Sequence, residues 1–447
     1  MDFRLSDVLA ALSHALDITE GQPRGHAERS CLIGMRLAEQ LELDDATRSS
    51  LFYALLLKDA GCSTNAAKVA FLYGADDAGV KRDRKVTDHL RPAASVRHLV
   101  RSTVPGGSPL QKARQLRLLV NHGSQGTRAL TELRCERGAE VALAVGFDDV
   151  TATAIRHLDE HWDGRGYPQG LAGDRISLPG RILCVAQTAE VFWQEGGGAR
   201  AACEVARARR GTWFDPAVVD ALHAVEHDHA FWALLDDDPN PSVYEPEDRV
   251  LAADDATLDR IADAFARIVD AKSPYTGRHS SGVAELAVAL AGALELDWRT
   301  RRDLRRAGLL HDVGKLGVSN RILDKPGKLD ADEWAAMRRH PELSLRILER
   351  VPALADIAML AAAHHERLDG SGYFLGLDAD RLDLPARILA VADVAEALSA
   401  ERPYREALPA EQVLNIMRQD AGVALDPQVF AALEGVLPTW LSPPLAA

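Results

Sequence analysis

Histidine and aspartate residues recur in the C-terminal half of this chain at spacings that could build a metal site. The set comprises His279, His311, Asp312, His340, His364, His365 and Asp393. Imidazole and carboxylate ligands together suit divalent iron, manganese, zinc or nickel. Seven such groups exceed the needs of one octahedral ion, so they predict two metals with Asp312 as the natural bridge. Two metals about 3.5–4 Å apart can activate a water and stabilise the attacking and leaving oxygens of a phosphoryl displacement.

Helical periodicity around these residues predicts the elements that position them. A short helical segment, Leu304–Leu310, leads directly into His311 and Asp312. Neighbouring side chains on a helix diverge by about 100°. The pair can therefore meet at one metal only near a helix end, at a distortion, or by binding from different sides. Pro385 suits the first turn of a helix that carries Asp393.

Composition sets the fold class and excludes several kinds of partner. At 447 residues the chain is long enough for two domains, and sparse aromatics (5%) with apolar residues at helical spacing predict an all-α protein. A formal charge of -14 disfavours DNA and anionic membrane surfaces as partners. Five scattered cysteines predict free thiols in a reducing compartment. Without a signal peptide or an apolar membrane-spanning stretch, we expect a cytoplasmic protein.

The two halves of the chain can be laid over each other. His26 and His279 are 253 residues apart, as are Asp59 and Asp312, and later motifs repeat at a constant offset of 206. A constant offset within each block indicates a duplication with loop insertions. We therefore predict a first copy over 1–233, a linker rich in acidic residues and proline over 234–253, and a second, catalytic copy over 254–447.

The first copy lacks most of the candidate ligands. Lys58 stands where the second copy has His311, and Gln187 where it has its last aspartate. Leu158 and Asp159 replace the paired histidines. A lysine ammonium opposes cation binding. The first copy is therefore predicted to be degenerate and non-catalytic, and to serve as a scaffold, a dimer surface or a sensor.

Five segments of the second copy resemble the HD-GYP family, the hydrolytic branch of the HD superfamily that degrades bacterial cyclic dinucleotides. They are HDVGK at 311–315, ILDKPGKLDADEW at 322–334, HHERLDGSGY at 364–373, ARILAVAD at 386–393 and RPYR at 402–405. The resemblance covers about 180 residues and implies tandem helical-bundle domains of the HD type, the second of them catalytic.

The resemblance also implies roles for individual residues. One metal would be held by His279, His311 and Asp393, the other by His340, His364 and His365, with Asp312 as the bridge. Lys315 would contact the scissile phosphate and assist the attack. The implied substrate-binding residues are Lys315, Gly370, Gly372, Tyr373, Arg387, Arg402 and Tyr404. Iron or manganese is expected, with nickel as an alternative.

Two positions depart from the family pattern. Tyr275 stands where some members carry a glutamate and hold a third metal, so two metals are expected here. Phe374 replaces the proline of the signature triplet, which removes a rigid φ from the loop. This loop is the expected contact for a GGDEF-type or other signalling partner, and a homodimer is a further expectation.

Four functions compete on this pattern. The leading hypothesis is hydrolysis of cyclic di-GMP to pGpG and onward to GMP. The same chemistry on 3′3′-cyclic GMP-AMP is close behind, because tandem proteins with a degenerate first copy occur among members that resemble this preference. A nucleotide monophosphatase of the wider HD superfamily is more distant. A non-catalytic nucleotide receptor or scaffold would explain the degenerate copy and Phe374, but has no need of seven ligands.

Overall fold

The computed structural model of the chain describes residues 3–87, 92–236, 239–246, 251–401 and 406–442. Almost all regular structure in these ranges is helical, which confirms the predicted all-α class. A two-residue strand β1 (Phe3–Arg4) pairs antiparallel with β2 (Ala252–Ala253). The chain divides into two compact units, Met1–Arg260 and Ile261–Ala447.

The first unit contains twelve named helices and the start of a thirteenth within the described residues. They are α1 (Leu5–Thr19), α2 (His26–Gln40), α3 (Asp45–Leu57), α4 (Ala66–Tyr73), α5 (Asp77–Lys85), α6 (Pro92–Ser102), α7 (Pro109–Val145), α8 (Asp149–Arg156), α9 (Leu178–Phe192), α10 (Gly198–Ala208), α11 (Pro216–Ala224), α12 (His229–Ala233) and α13 (Asp255–Asp270). Its centre is formed by α2 packed on α3 and α9, with α8 against α3 and α9.

The segment predicted as a linker, 234–253, lies in the first unit where it is described. A turn over Pro241–Tyr244 brings Glu245 into the interior. The Glu245 carboxylate accepts hydrogen bonds from Ser6 Oγ at 2.8 Å and Tyr53 Oη at 3.3 Å. The boundary between the compact units falls at Arg260 and Ile261, inside α13. The segment rich in acidic residues and proline therefore packs into the first unit through Glu245, whose carboxylate has hydrogen-bond partners there.

The second unit repeats this arrangement with its own helices. After the end of α13 come α14 (His279–Ala293), α15 (Trp298–Leu310), α16 (Asn320–Leu323), α17 (Ala331–Met337), α18 (His340–Leu348), α19 (Ala355–Ala362), α20 (Leu384–Ser399), α21 (Ala410–Met417) and α22 (Pro427–Trp440). Helix α14 packs on α15 and α20, and α19 packs on α15 and α20. These contacts match those of α2, α3, α8 and α9.

Close helix approach in the second unit depends on small residues. A Cβ atom at Gly308 would lie 2.8 Å from Ala284 Cα, so only glycine lets α15 come this near to α14. Leu286 and Leu290 fill the buried face of α14. The C-terminal end of α15 is thereby held beside the N-terminal end of α14.

Two predictions about cellular context bear on the described residues. All five cysteines are buried, and none of them is paired with another. Within the part of the chain that is described, no helix combines the length and apolar character that a bilayer span requires.

Candidate metal centre

The predicted ligands lie at or next to the ends of four α-helices and in the middle of a fifth. His279 is the first residue of α14, and His340 is the first residue of α18. His311 follows the last residue of α15, and Asp312 precedes a 3₁₀ turn over Val313–Gly317. His364 and His365 lie in the turn after α19, and Asp393 lies within α20. The adjacent His311 and Asp312 therefore meet at a helix end, one of the arrangements that the sequence allowed.

Three of the histidines are oriented by the same local device. In each, ring nitrogen Nδ1 donates a hydrogen bond to the carbonyl three residues earlier. The pairs are His311 with Gly308 at 2.7 Å, His340 with Met337 at 2.8 Å, and His364 with Ala361 at 2.7 Å. A carbonyl can only accept, so Nδ1 carries the proton and Nε2 presents a lone pair. Metal-binding histidines are commonly oriented through their second ring nitrogen in this way.

The two carboxylate oxygens of Asp312 face two different groups of histidines. Oδ1 lies 3.3 Å from Nε2 of His340 and 3.7 Å from Nε2 of His364. Oδ2 lies 3.3 Å from Nε2 of His311 and 3.4 Å from Nε2 of His279. A carboxylate placed between two ligand groups has the geometry that a bridging ligand requires.

Asp393 lies on the other side of the same cluster. Its Oδ1 is 3.3 Å from Nε2 of His279 and 3.8 Å from Nε2 of His311. Its Oδ2 is 3.5 Å from Nδ1 of His365. The structure thus brings all seven predicted ligands into one buried cluster, although they span more than a hundred residues of chain.

The donor set fits divalent cations. Nε2 of His340 and Nε2 of His364 are 3.1 Å apart, and both carry lone pairs because their Nδ1 atoms donate elsewhere. Nε2 of His311 and Oδ1 of Asp312 are buried without a hydrogen-bond partner among the described residues. Converging lone pairs of this kind are stabilised by a cation, and mixed nitrogen and oxygen donors suit first-row metals.

Burial sets the protonation states that metal binding needs. Burial lowers the pKa of His340, lowers that of His364 further, and brings the pKa of His365 to about 3. These rings are neutral near pH 7 and can act as ligands. For Asp312, burial acts to raise the pKa, but nearby His311 and Lys315 hold it well below its usual range.

Lys315 is the cationic side chain closest to the Asp312 carboxylate. Its Nζ lies 2.5 Å from Oδ2 of Asp312, and the side chain keeps partial exposure. The turn that carries Lys315 is tied to α18 because Gly314 N–H donates to Ser344 Oγ at 2.9 Å. The same hydroxyl donates to the His311 carbonyl at 2.6 Å. These bonds join the loop that follows Asp312 to the helix that begins with His340.

Glu396 is a buried residue of the site that sequence reasoning missed. Its carboxylate accepts a hydrogen bond from Nδ1 of His279, which directs Nε2 toward Asp312 and Asp393. Burial alone would lower the pKa of His279, but hydrogen bonds to Asp312, Asp393 and Glu396 raise it well above its usual value. The first unit repeats the arrangement between His26 and Glu190, which precedes Glu396 by the offset of 206.

Replacing Glu396 by glutamine is expected to weaken metal binding. The amide can still contact His279, but it withdraws the negative charge that raises the basicity of the ring. Loss of such a supporting partner typically lowers metal affinity or activity about 10- to 100-fold. Metal affinity measured by competition with a chelator would check this expectation. An affinity equal to that of the unmodified protein would show that the carboxylate contributes only packing.

The glycine–tyrosine loop is shaped by close backbone contacts. A Cβ at Gly372 would lie 2.5 Å from Glu366 Cα, and Gly370 has φ of 72°. The Glu366 carboxylate accepts hydrogen bonds from the N–H groups of Leu375 and Leu377, both at 2.8 Å. Glu160 and Gly166 do the same in the first unit. The glycines therefore have a folding role in both copies, and their approach to a ligand stays a prediction.

The Arg387 guanidinium group forms hydrogen bonds within the protein. Its Nε donates to the Leu382 carbonyl at 2.8 Å, Nη1 to Asp426 at 2.9 Å and Nη2 to the Ala379 carbonyl at 2.6 Å. Arg181 makes the matching bonds in the first unit, at 2.8 Å to Ile176 O and 3.0 Å to Asp215. Contacts shared with a copy that lacks the ligands indicate a structural role. The predicted substrate contacts Arg402 and Tyr404 lie outside the described residues.

In the first unit, cationic side chains stand where the second unit presents its candidate metal ligands. Lys58 is buried and pairs with Asp59. Nζ of Lys85, at the end of α5, lies 3.7 Å from Oδ1 of Asp59 and 3.4 Å from Nε2 of His26. Arg134 pairs with Asp159, the residue at the position of His365. Ammonium and guanidinium groups thus neutralise carboxylates at positions where metals would otherwise be held.

Comparison with known proteins agrees with this duplicated architecture. The HD domain family model matches residues 120–218 and 263–429, one segment in each unit. The Vibrio cholerae serotype O1 protein called 3′3′-cGAMP-specific phosphodiesterase 3 is 43% identical over 438 residues, which cover 97% of this chain and 95% of that protein. The cyclic di-GMP phosphodiesterase PA4108 of Pseudomonas aeruginosa is 43% identical over 161 residues, 35% of this chain and 38% of its own.

A solved structure extends the similarity to the fold. The chain is similar to the crystal structure of a cyclic GMP-AMP specific phosphodiesterase of V. cholerae, V-cGAP3, and the match covers 99% of each of the two chains. The two share 38% sequence identity with a TM-score of 0.65. Full-length similarity, matches to the family model in both units and a cluster of seven candidate ligands lead to one conclusion: the chain belongs to the HD-GYP family of metal-dependent cyclic dinucleotide phosphodiesterases.

Proposed function

We propose that the second unit hydrolyses 3′3′-cyclic GMP-AMP. The observation that supports this substrate is similarity to a 3′3′-cGAMP-specific phosphodiesterase over 97% of the chain, first unit included. On this support we rank cyclic GMP-AMP ahead of cyclic di-GMP, the reverse of the order that the motifs had suggested. Both substrates carry the same phosphodiester linkages and differ in one base, so the same metal centre serves either.

The chemistry is assigned to the buried cluster. His279, His311 and Asp393 would hold one divalent metal, His340, His364 and His365 would hold the other, and Asp312 would contact both. When bound, such metals would supply Lewis acidity at the phosphate and lower the pKa of a water for in-line attack. The carbonyl bonds and Glu396 keep the imidazoles oriented, and Lys315 offers an ammonium to the phosphate. Iron or manganese is the proposed metal, with nickel as an alternative.

Cyclic di-GMP is the second candidate substrate. It is favoured by the 43% identity of a 161-residue segment to PA4108, which carries that name. The receptor and monophosphatase hypotheses receive less support. A pure receptor does not need converging lone pairs on buried histidines, and the similarity to phosphodiesterases does not favour a monophosphatase. The degenerate first copy, the homodimer and the GGDEF-type partner stay predictions.

Parallel hydrolysis assays test the proposal. Protein loaded with manganese or iron under anaerobic conditions is given 3′3′-cyclic GMP-AMP and cyclic di-GMP separately and then in competition, with products separated by chromatography. We expect linear dinucleotide from both, with the larger kcat/KM for cyclic GMP-AMP. A larger kcat/KM for cyclic di-GMP would reverse the substrate order. No turnover of either ring, with two metals bound per chain, would refute the phosphodiesterase proposal.

A further inference from the structure

An exposed aromatic group extends outward from the paired histidines. The Tyr373 ring lies 4.7 Å from the His365 ring, measured between centroids. The Trp334 ring packs edge-on to Tyr373 at 6.3 Å, with an interplanar angle of 74°. The guanidinium carbon of Arg338 lies 4.6 Å from the centre of the Tyr373 ring. A continuous series of ring contacts therefore runs from the metal ligands to the surface of the second unit.

Trp334 and Arg338 belong to the same segment of the chain as the candidate metal ligand His340. Trp334 and Arg338 are four residues apart, so they lie on one face of α17 and its last turn. His340, two residues beyond Arg338, begins α18. The start of α17 is held by a capping box between Asp330 and Glu333. Trp334 and Arg338 therefore lie close to His340, which follows them by six and two residues in the chain.

The presence of a tryptophan at position 334 is not explained by burial in the protein core. Trp334 remains 47% exposed, and none of the residues of α17 is buried. An exposed large aromatic beside a polar catalytic cluster is a feature of ligand-binding surfaces. Trp334 offers an indole and Arg338 a planar cation, and both bind the flat faces of nucleobases.

We propose that Trp334 and Arg338, together with Tyr373, form a stacking surface for one purine base of the substrate. This surface, here called the base platform, rests on the proposed function, because it needs a nucleotide whose phosphate is at the metals. A base held on the platform orients the scissile phosphodiester and excludes water from one side of it. Trp334 and Arg338 are positioning and specificity residues in this scheme, and they do not ligate metal.

Kinetics of Trp334→Ala and Trp334→Phe test the base platform. Stacking of a base on an aromatic side chain is worth about five- to 150-fold by alanine substitution. We expect Trp334→Ala to raise KM for the cyclic dinucleotide within that range, and Trp334→Phe to retain most of the affinity. Hydrolysis of bis(p-nitrophenyl) phosphate, metal content and melting temperature should stay within experimental error of the unmodified protein, because the metal centre is untouched.

Trp298→Ala provides a matched control. Trp298 is 64% exposed at the start of α15, and the Arg302 guanidinium lies 5.3 Å from its ring centre. It therefore has the same chemistry as Trp334. It lies at the opposite end of α15 from the metal cluster, about 20 Å away for a helix that rises 1.5 Å per residue. We expect Trp298→Ala to leave KM for the cyclic dinucleotide unchanged.

Three outcomes would overturn the base platform. The first is an unchanged KM for the cyclic dinucleotide in Trp334→Ala. The second is an equal loss of activity on the cyclic dinucleotide and on bis(p-nitrophenyl) phosphate. The third is a loss of bound metal or a lower melting temperature, which would show that Trp334 has a structural role. Failure of the proposed function reads differently, as hydrolysis of bis(p-nitrophenyl) phosphate by the unmodified protein without turnover of any cyclic dinucleotide. In that case quenching of tryptophan fluorescence by GMP still decides the platform, since Trp334→Ala should abolish it and Trp298→Ala should not.

Discussion

Substitution of Asp312 by asparagine is expected to lower cyclic dinucleotide hydrolysis by at least about a thousandfold. The two oxygens of Asp312 face separate groups of histidines, at 3.3 Å to His340 and 3.3 Å to His311. An amide offers one neutral oxygen and one donor nitrogen, so it cannot bridge two cations. Metal stabilisation of the transition state is worth several kcal/mol, and each 1.36 kcal/mol is a factor of ten in rate.

The degenerate copy supplies the matched control for this substitution. Asp59 occupies the corresponding position in the first unit but pairs with Lys58. We expect Asp59→Asn to retain two metals per chain and most of the turnover, whereas Asp312→Asn retains fewer than two. Metal content by elemental analysis and rates at saturating substrate would be measured on the same preparations. Equal loss of turnover in both variants would contradict a catalytic centre confined to the second unit.

Removal of the buried Lys58 ammonium is expected to cost the first unit about 3–5 kcal/mol of unfolding free energy. Lys58 is 2% exposed, and it neutralises the buried Asp59 carboxylate. Loss of Lys58 leaves the buried Asp59 carboxylate in a low-dielectric interior with Lys85, at 3.7 Å, as its remaining ammonium partner. Lys58→Met keeps the volume and removes the charge. Amide hydrogen exchange in α2 and α3 would measure the loss for this unit separately from the second.

Lys68→Ala is the control for that measurement. Lys68 is an exposed residue of α4, and surface substitutions usually change stability by no more than about 0.5 kcal/mol. Exchange protection in α2 and α3 should therefore match that of the unmodified protein. If Lys58→Met also left protection unchanged, the cation would not be what stabilises this cluster.

The same ion pair predicts how the first unit responds to acid. Burial acts to raise the pKa of Asp59, but Lys58 and Lys85 hold it well below its usual value. A carboxyl group with a depressed folded-state pKa stabilises the fold above its unfolded pKa of about 4, and that contribution is lost as the pH falls toward the folded value. Exchange protection of α2 should therefore decline below about pH 4. A smaller decline is expected in Lys58→Met, because the depression of the pKa depends on Lys58.

The helical class, the duplication and the identity of the clustered residues could all be predicted from the sequence alone. Periodicity is a local property, and it predicts helices wherever apolar residues recur on one face. Constant offsets between the copies marked the positions of Lys58 and Gln187 as departures from a metal site. Motif order marked His279 and Asp393 as parts of one site, although 113 residues separate them along the chain.

Which side chains support that site, and through which contacts, became visible only in the folded protein. Glu396 reaches His279 across 117 residues, and Lys85 reaches Asp59 from a helix that the repeat comparison had not matched. Arg387 binds Asp426 and two carbonyls, where the family resemblance had placed a phosphate. Such contacts depend on how helices pack, because packing sets which faces of distant segments meet. Local spacing along the chain carries no information about that choice.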